Sequence, residues 1–563
     1  MNKPLAKAET AWIRTAIRSI PIAGIALCAI AYAHADEPLV IPMSPGLSET
    51  GLEGVPRLHV TDMEDAIITA DSMTIEPEER YAWIVEPDES IDMTLTGRDP
   101  ELGDRAVLTV WDWRNRPIAR HGFDIPFTEP VRFEIEGRGV YLLTLDRFDG
   151  EQCVSRLVRS VGAVSDNRDK REIWNDGEFF IGTAVFPGRM HWSNEIGPAF
   201  LPELGEEGTA ELEAELNARL GVQVARLTAD EEGISLYDDT GFLLHLKVFA
   251  RGEIDPAYED MAGEADVDFR LPRTESAAQA DFKEAAQDWA DKAFFVQIQN
   301  EPDNESFWLG SAEEYVEHYR WGYEAFKREA SDLPLSAGGY TGELPDRLEV
   351  FVHELKPIVD WVTFHTHGPL LDCIEKYEKI AALHEEAGYT DPVWVNTEMG
   401  SRAWRLDQDR QQAIDAVQKT LYFWTRGHRG VTIYRSRDIL RGPGRVENGC
   451  WGYLDYFMAP RFTYGVLSAL IDIYAGAEFS SALHLSDTLH LYKFTRDGVQ
   501  LITAFRPDGS NGEPITLVGD MPAIQQFDAM GNAASLTGEQ VEIDAGALPI
   551  TVEWPSEANV SLE

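Results

Sequence analysis

The sequence predicts an α/β protein, a (β/α)8 TIM barrel flanked by N-terminal and C-terminal antiparallel β-sandwich domains. Three observations predict it. Between residues 178 and 474, eight short apolar runs alternate with longer segments of helical spacing, which is the size and period of such a barrel. On either side the rhythm falls to period two, as in half-buried strands. No G-x-G-x-x-G follows any apolar run, which weighs against a doubly wound open sheet.

Residues 1–35 read as a secretory leader. Lys3, Lys7, Arg14 and Arg18 make a basic start, "IPIAGIALCAIAYA" is a short apolar stretch, and "AHA" offers a cleavage site before Asp36. The stretch is shorter than the roughly 18 residues of a spanning helix. The expectation is an exported protein, periplasmic or extracellular, with no membrane contact after cleavage. Residues 36–168 then carry strands such as "AVLTVWDW" and "VYLLTLDRFD" of an N-terminal β-sandwich.

The barrel is expected over residues 169–474. Its strands are "FFIGTAVF", "VQVARLT", "FLLHLKVFA", "AFFVQIQNEP", "LPLSAGGY", "VDWVTFHTHG", "PVWVNTEMG" and "GVTIYRS". Stretches such as "AEEYVEHYRWGYEAFKREA" supply the helices between them. A C-terminal β-domain over 475–563 opens with "LHLYKFTRDGVQLITAF", where "RDG" signals a hairpin.

The chain of 563 residues carries a net charge of −48. The leader holds four of the basic residues and one glutamate, so the remainder carries −51. Such a surface excludes nucleic acid and anionic membranes as partners. Cys153, Cys373 and Cys450 remain after the leader, too few for a disulfide scaffold and without zinc spacing.

Chemistry in a barrel of this kind sits at the C-terminal ends of the strands. Strand four runs out of an apolar stretch into Asn300, Glu301 and Pro302, and strand seven into Asn396, Thr397 and Glu398. Alone, each is a turn where a strand leaves the core. Together they deliver two glutamates to one rim, the pair needed to break a glycosidic bond, one protonated and one ionised.

"QNEP" on strand four with "TEMG" on strand seven resembles clan A of the glycoside hydrolases, and the flanking β-domains are similar to those of family 39, which includes β-xylosidases and α-L-iduronidases. The resemblance covers residues 178–474. It implies a retaining O-glycosyl hydrolase acting on a carbohydrate, with no cofactor and no metal. Glu301 would be the acid/base and Glu398 the nucleophile. It also implies that Asn300 binds the sugar 2-hydroxyl, that Arg226 of "VARLT" supports the nucleophile, and that His365 of "TFHTHG" lines the site. The chain departs from the pattern at His367, where an aromatic hydroxyl is usual, and at "TIYRSRD", where strand eight often ends in tryptophan.

Arginines gather at the strand ends of this acidic chain: Arg189, Arg226, Arg251, Arg402, Arg405, Arg435, Arg437, Arg441 and Arg445. Two readings stay open. They pair with acidic residues of the same loops, or their planar forks bind the carboxylate or sulfate of an anionic glycan. Among aromatic residues at the same ends, Phe186, Trp192, Trp308, Tyr340, Trp404, Tyr434 and Trp451, three or four are expected to line the cleft. Two further function classes compete. A non-catalytic glycan-binding protein would usually have lost one carboxylate. A metal-dependent barrel hydrolase would use the two histidines of "HTH" with further ligands, for which His191 and His245 are the nearby offerings.

Overall fold

A computed structural model describes residues 39–43, 73–78, 81, 83–175, 177–186, 204–229, 231–261, 270–403, 405–438, 450–510 and 512–563. The leader expected over residues 1–35 lies outside these residues, and so do Arg189, His191, Trp192, Trp404, Arg441 and Arg445.

Eight strands form the central sheet: β1 (Phe180–Ala184), β2 (Val224–Thr228), β3 (Leu243–Val248), β4 (Ala293–Ile298), β5 (Leu335–Ser336), β6 (Trp361–His367), β7 (Val393–Gly400) and β8 (Gly430–Ile433). Their spatial order is β5-β4-β3-β2-β1-β8-β7-β6, every strand beside its neighbours in sequence. All seven pairings are parallel, and a parallel bridge between Tyr340 and Phe364 brings the fifth strand's run against β6. The sheet closes on itself as a barrel. β5 is shorter than its sequence run, because Pro334 withholds a ladder donor and Gly338 turns the chain at φ 82°.

Eight helices follow the strands: α1 (Gly205–Leu220), α2 (Glu231–Asp239), α3 (Glu275–Trp289), α4 (Ala312–Glu329), α5 (Pro345–Leu355), α6 (Leu370–Glu386), α7 (Gln408–Thr425) and α8 (Phe462–Tyr474). α4 shows why these stretches are helical. Ser311 and Glu314 make a reciprocal capping box, acidic residues fill its first turn and Lys327 and Arg328 its last. Tyr315, Val316, Tyr319 and Phe326 then bury one face.

Along β3 the alternation sorts the two sides of the barrel wall. Leu244, Leu246 and Val248 join the core under the helices. Leu243, His245 and Lys247 fall on the other, inward face, opposite Val224, Arg226 and Thr228 of β2. At the N-terminal end the interior is plugged by Phe180, Val224, Phe295 and Val395. Above that plug the inward positions turn polar.

Two sheets precede the barrel. One orders strands Leu39–Met43, Phe127–Ile135, Ser90–Gly97 and Met73–Pro77; the other orders Ile84–Val85, Gln152–Ala163, Gly139–Asp149, Arg105–Trp111 and Pro117–Asp124. Met93, Leu95 and Phe133 from the first meet Leu108, Leu143 and Leu145 from the second in one apolar layer, a β-sandwich. After α8, a six-stranded and a three-stranded sheet pack around Ile502, Val541, Val552 and Trp554. The expected hairpin joins Leu489–Arg496 to Val499–Phe505, with Asp497 and Gly498 both at positive φ. Cys153 is an exposed free thiol and Cys373 a buried one. No described helix is long and apolar enough to cross a membrane.

Candidate active site

The apolar run of β4 ends at Ile298, and the next three residues leave the strand by an unusual path. Gln299 and Glu301 both take the left-handed region, at φ 68° and 45°. For non-glycine residues that conformation costs about 1–3 kcal/mol each, and surrounding contacts must hold it. Here the Gln299 amide donates to the Val248 carbonyl at 2.9 Å, and its side-chain oxygen accepts from the Asn300 amide at 3.1 Å. Asp303 is fully buried and accepts from the amides of Thr341 (3.0 Å) and Gly342 (2.6 Å), pinning this turn to the loop after β5. The result turns the Glu301 carboxyl towards β6 and β7.

Glu398 lies near the end of β7, where its carboxyl meets Arg226 across the barrel. Arg226 Nη1 donates to Glu398 Oε1 at 2.5 Å, and Nη2 donates to Asn300 Oδ1 at 2.7 Å. Gln297 Nε2 also donates to Asn300 Oδ1, at 3.2 Å. One guanidinium therefore ties β2, β4 and β7 together. Glu301 has different company. Its Oε1 lies 2.6 Å from His365 Nδ1, and its Oε2 accepts from Asn304 Nδ2 at 3.3 Å. His365 Nε2 in turn lies 3.1 Å from the Thr397 hydroxyl. A Cβ at Gly339 would stand 2.0 Å from His365 Nε2, so the ring fits only because that position carries no side chain. His367 Nε2 approaches Glu398 Oε2 at 3.8 Å.

The two carboxyls are held in opposite charge states. Burial, reinforced by the charge of Glu398, pushes Glu301 up to about 8. Burial also opposes the charge of Glu398, but His365, Arg226, Lys247 and His367 overcome it and hold that carboxyl at about 2. Burial takes His365 down to about 3, so its ring is neutral at neutral pH and Arg226 is the standing counter-charge. An acid and a carboxylate thus face one another near pH 7. An oxygen of Glu301, an oxygen of Glu398 and a ring nitrogen of His367 lie within 4.8 Å of one another.

The structure brings Glu301, Glu398, Asn300, Arg226, His365 and His367 together at one rim, and it removes other expected contacts. Trp308 is wholly buried, donates its indole N–H to the Ser311 carbonyl and packs on Tyr315 and His318. Tyr340 is buried against Phe351. Both belong to the core, because a residue just past a strand can point outward as readily as inward. Arg435 is wholly buried, its guanidinium 5.4 Å from the ring centroid of Phe186 and 5.8 Å from that of Tyr434. Arg437 is buried beside Glu213, and Arg405 pairs with Asp407 at 3.2 Å. Arg189 and Trp404, also expected at the site, lie outside the described residues.

Half-buried aromatic rings do collect at the rim. Tyr434 and Trp451 stand 5.6 Å apart between centroids, each edge-on to His367 at 5.8 and 4.9 Å. Strand eight lacks its terminal tryptophan, yet Trp451 reaches the same rim from further along the chain. Exposed Arg402 lies over it at 5.0 Å. Sequence reasoning missed Thr397, Gln297, Asp303 and Lys247. The period-two face of "LLHLKV" carried a signal for the last, since it sets Lys247 on the same side as His245.

No family model and no curated protein matches the sequence. Solved structures do. A family 39 glycoside hydrolase from the gut symbiont Bacteroides cellulosilyticus WH2 superposes with a TM-score of 0.59 at 14% identity, over 85% of this chain and 99% of that one. A family 39 β-xylosidase from Caulobacter crescentus aligns with 67% of this chain and 99% of its own, at 12% identity and a TM-score of 0.43. Barrel and flanking β-domains together therefore have the fold of a family 39 glycoside hydrolase.

Proposed function

We propose that the protein is a retaining glycoside hydrolase acting on poly- or oligosaccharides. The observation that carries this reading is the pair Glu301 and Glu398, with oxygens within 4.8 Å and charge states pushed apart. Retaining enzymes hold their carboxyl groups about 5–5.5 Å apart, and inverting ones need above about 6.5 Å to admit a water.

In the first step a Glu398 oxygen attacks the anomeric carbon as the glycosidic C–O bond breaks, and Glu301 gives its proton to the departing oxygen. In the second, water gives a proton to the Glu301 carboxylate and attacks the same carbon, which releases Glu398. Asn300, held by Arg226 and Gln297, is placed to meet a sugar hydroxyl beside the nucleophile. Tyr434 and Trp451 offer faces on which a sugar ring can stack. The likeness to solved glycoside hydrolases supports the reading at the level of fold. The leader features of residues 1–35 support export, and a mature N-terminus at Asp36 is expected on sequencing of secreted material.

Metal-dependent hydrolysis is the second reading that a specific observation favours, since Glu301, His367 and Glu398 could together offer three ligand atoms. Each glutamate already commits one oxygen, Glu398 to Arg226 and Glu301 to His365, which suits a proton-and-nucleophile pair better than a closed metal cage. The test is reducing-sugar release from neutral, uronate-containing and sulfated glycans, with Glu398→Gln run beside the parent. Cleavage by the parent alone, with the anomeric configuration retained, is expected. Equal release by both would overturn the assignment of Glu398.

A further inference from the structure

Lys247 helps to hold Glu398 ionised from a distance, yet it donates to neither carboxyl, and it stands in the same layer of the barrel. It faces inward from β3, in register with Thr228 on one side and Gln297 on the other. Gln297 is hydrogen-bonded to Asn300, and Arg226 lies two residues before Thr228 on β2, so Lys247 sits beside the group that holds Glu398. Only 6% of the residue is exposed. Among the described residues its ammonium makes no hydrogen bond and no ion pair; the contact it does have is with the face of Phe186, 5.8 Å to the ring centroid.

A buried ammonium without an acceptor is a costly arrangement, because nothing replaces the water it has lost. Its surroundings relieve that cost only in part, because burial and the nearby Arg226 outweigh the pull of Glu398 and Glu301. Glu398 is already engaged by Arg226, and Glu301 is held as a neutral acid at neutral pH. The cation therefore exceeds the charge it could neutralise in this layer, in a chain that carries −48 overall. Burial and the nearby Arg226 bring the ammonium down to about 7, so it is readily charged by an incoming anion. Elsewhere on the rim, Arg437 and Arg405 are paired with carboxylates of the protein itself and Arg435 is buried, which leaves them unsuited to the task.

We propose that Lys247 receives an oxyanion substituent, carboxylate or sulfate, on the sugar ring that Glu301 and Glu398 attack. This makes the protein selective for acidic glycans through a single buried ammonium rather than through Arg405, Arg435 or Arg437, and it rests on the glycosidase reading above. Lys247 is a specificity residue: it binds the anion and neither attacks the sugar nor gives a proton to the leaving oxygen.

The experiment uses two matched substrate pairs, a uronate-containing oligosaccharide with its carboxyl-reduced form and a sulfated oligosaccharide with its desulfated form. Parent, Lys247→Met and Lys247→Arg are compared on all four for kcat and KM, and for binding by calorimetry. The expected result is a preference of the parent for one acidic member, lost by about 30-fold or more in kcat/KM in Lys247→Met. The loss on the neutral partner, which reads only what Lys247 adds to the ionisation of Glu398, should be smaller by about 10-fold or more, and Lys247→Arg should recover most of the preference. Which pair responds tells carboxylate from sulfate. Equal losses on acidic and neutral members would overturn the proposal, as would a parent that cleaves neutral glycans only; both leave the glycosidase reading standing. Acid-selective binding without cleavage, abolished in Lys247→Met, would uphold the ammonium's role and remove the hydrolysis. Neither cleavage nor acid-selective binding would overturn both.

Discussion

The rims of β4 and β7 present the same side chain in almost the same burial, Glu301 and Glu398 each 7% exposed, and yet hold it in opposite charge states. The difference is what reaches each carboxyl from elsewhere in the barrel. Glu398 receives a guanidinium from β2, while Glu301 receives an imidazole that burial keeps neutral. Burial alone would raise both. A fixed cation on one of them splits the pair, and the split is what the proposed mechanism requires, one carboxyl to attack while the other donates a proton.

The most severe way to break that contrast is Glu398→Gln, which removes the proposed nucleophile and should lower turnover on the order of 10⁵-fold, with the folded state intact by thermal unfolding. Glu301→Gln should cost about 10²–10⁴-fold on sugars with poor leaving groups and much less on an activated aryl glycoside. Equal losses on the two substrates would argue against a proton donor. Arg226→Met should erase the split from the other side. Turnover is expected to fall by about 10²-fold, the acid limb of the pH–rate profile to move upward as Glu398 loses its counter-charge, and the folded state to lose about 3–5 kcal/mol for a broken buried pair. A profile with an unchanged acid limb would separate Arg226 from the charge of Glu398.

The parent's own pH profile sharpens the comparison without mutation. The proposed reaction needs Glu301 protonated, and its carboxyl is raised, so kcat/KM should hold below about pH 8 and fall above it. Glu398 is already ionised above about pH 2, so its titration adds no acid limb nearer neutrality. The alkaline fall should vanish in Glu301→Gln. Smallest of all, exhaustive chelation followed by gel filtration should leave turnover unchanged; loss of activity restored by a divalent ion would favour the metal reading.

Much of this site was legible in the sequence because it is written in strand-end motifs. "QNEP" and "TEMG" follow apolar runs whose lengths fix where each strand leaves the core, and Arg226 closes a run of the same kind. What the sequence concealed is direction. Trp308 and Tyr340 come after strands just as Tyr434 does, but their rings turn into the core, and only the packing of Tyr315 and Phe351 around them decides that. Arg435 follows strand eight and looked like a hand extended to substrate, yet it is folded away beneath Phe186. Lys247 shows the converse error. It stands inside an apolar run, where a lysine reads as an interruption until the period of two places it inward. The fifth strand was recognisable as a run, but proline and glycine left it two residues of ladder.

One feature at the back of the barrel bears on how the molecule can be handled. A single apolar core runs from Val140 and Leu142 of the N-terminal sandwich through Val466 and Leu470 of α8 to Tyr492, Phe494 and Phe505 of the C-terminal sheets. Gly465 lies where the three meet, since a Cβ there would stand 2.9 Å from Val140 and 2.8 Å from the sulfur of Met530. Asn532 then stitches the two β-domains directly, accepting from the Arg138 amide at 2.7 Å and donating to its carbonyl at 3.0 Å, while Arg138 reaches Asp472 of α8 at 2.7 Å. The β-domains are thus not detachable accessories. An expression clone trimmed to the barrel would open a greasy flank along α8 and yield aggregated material, whereas fusions and tags are safer at exposed turns remote from that seam.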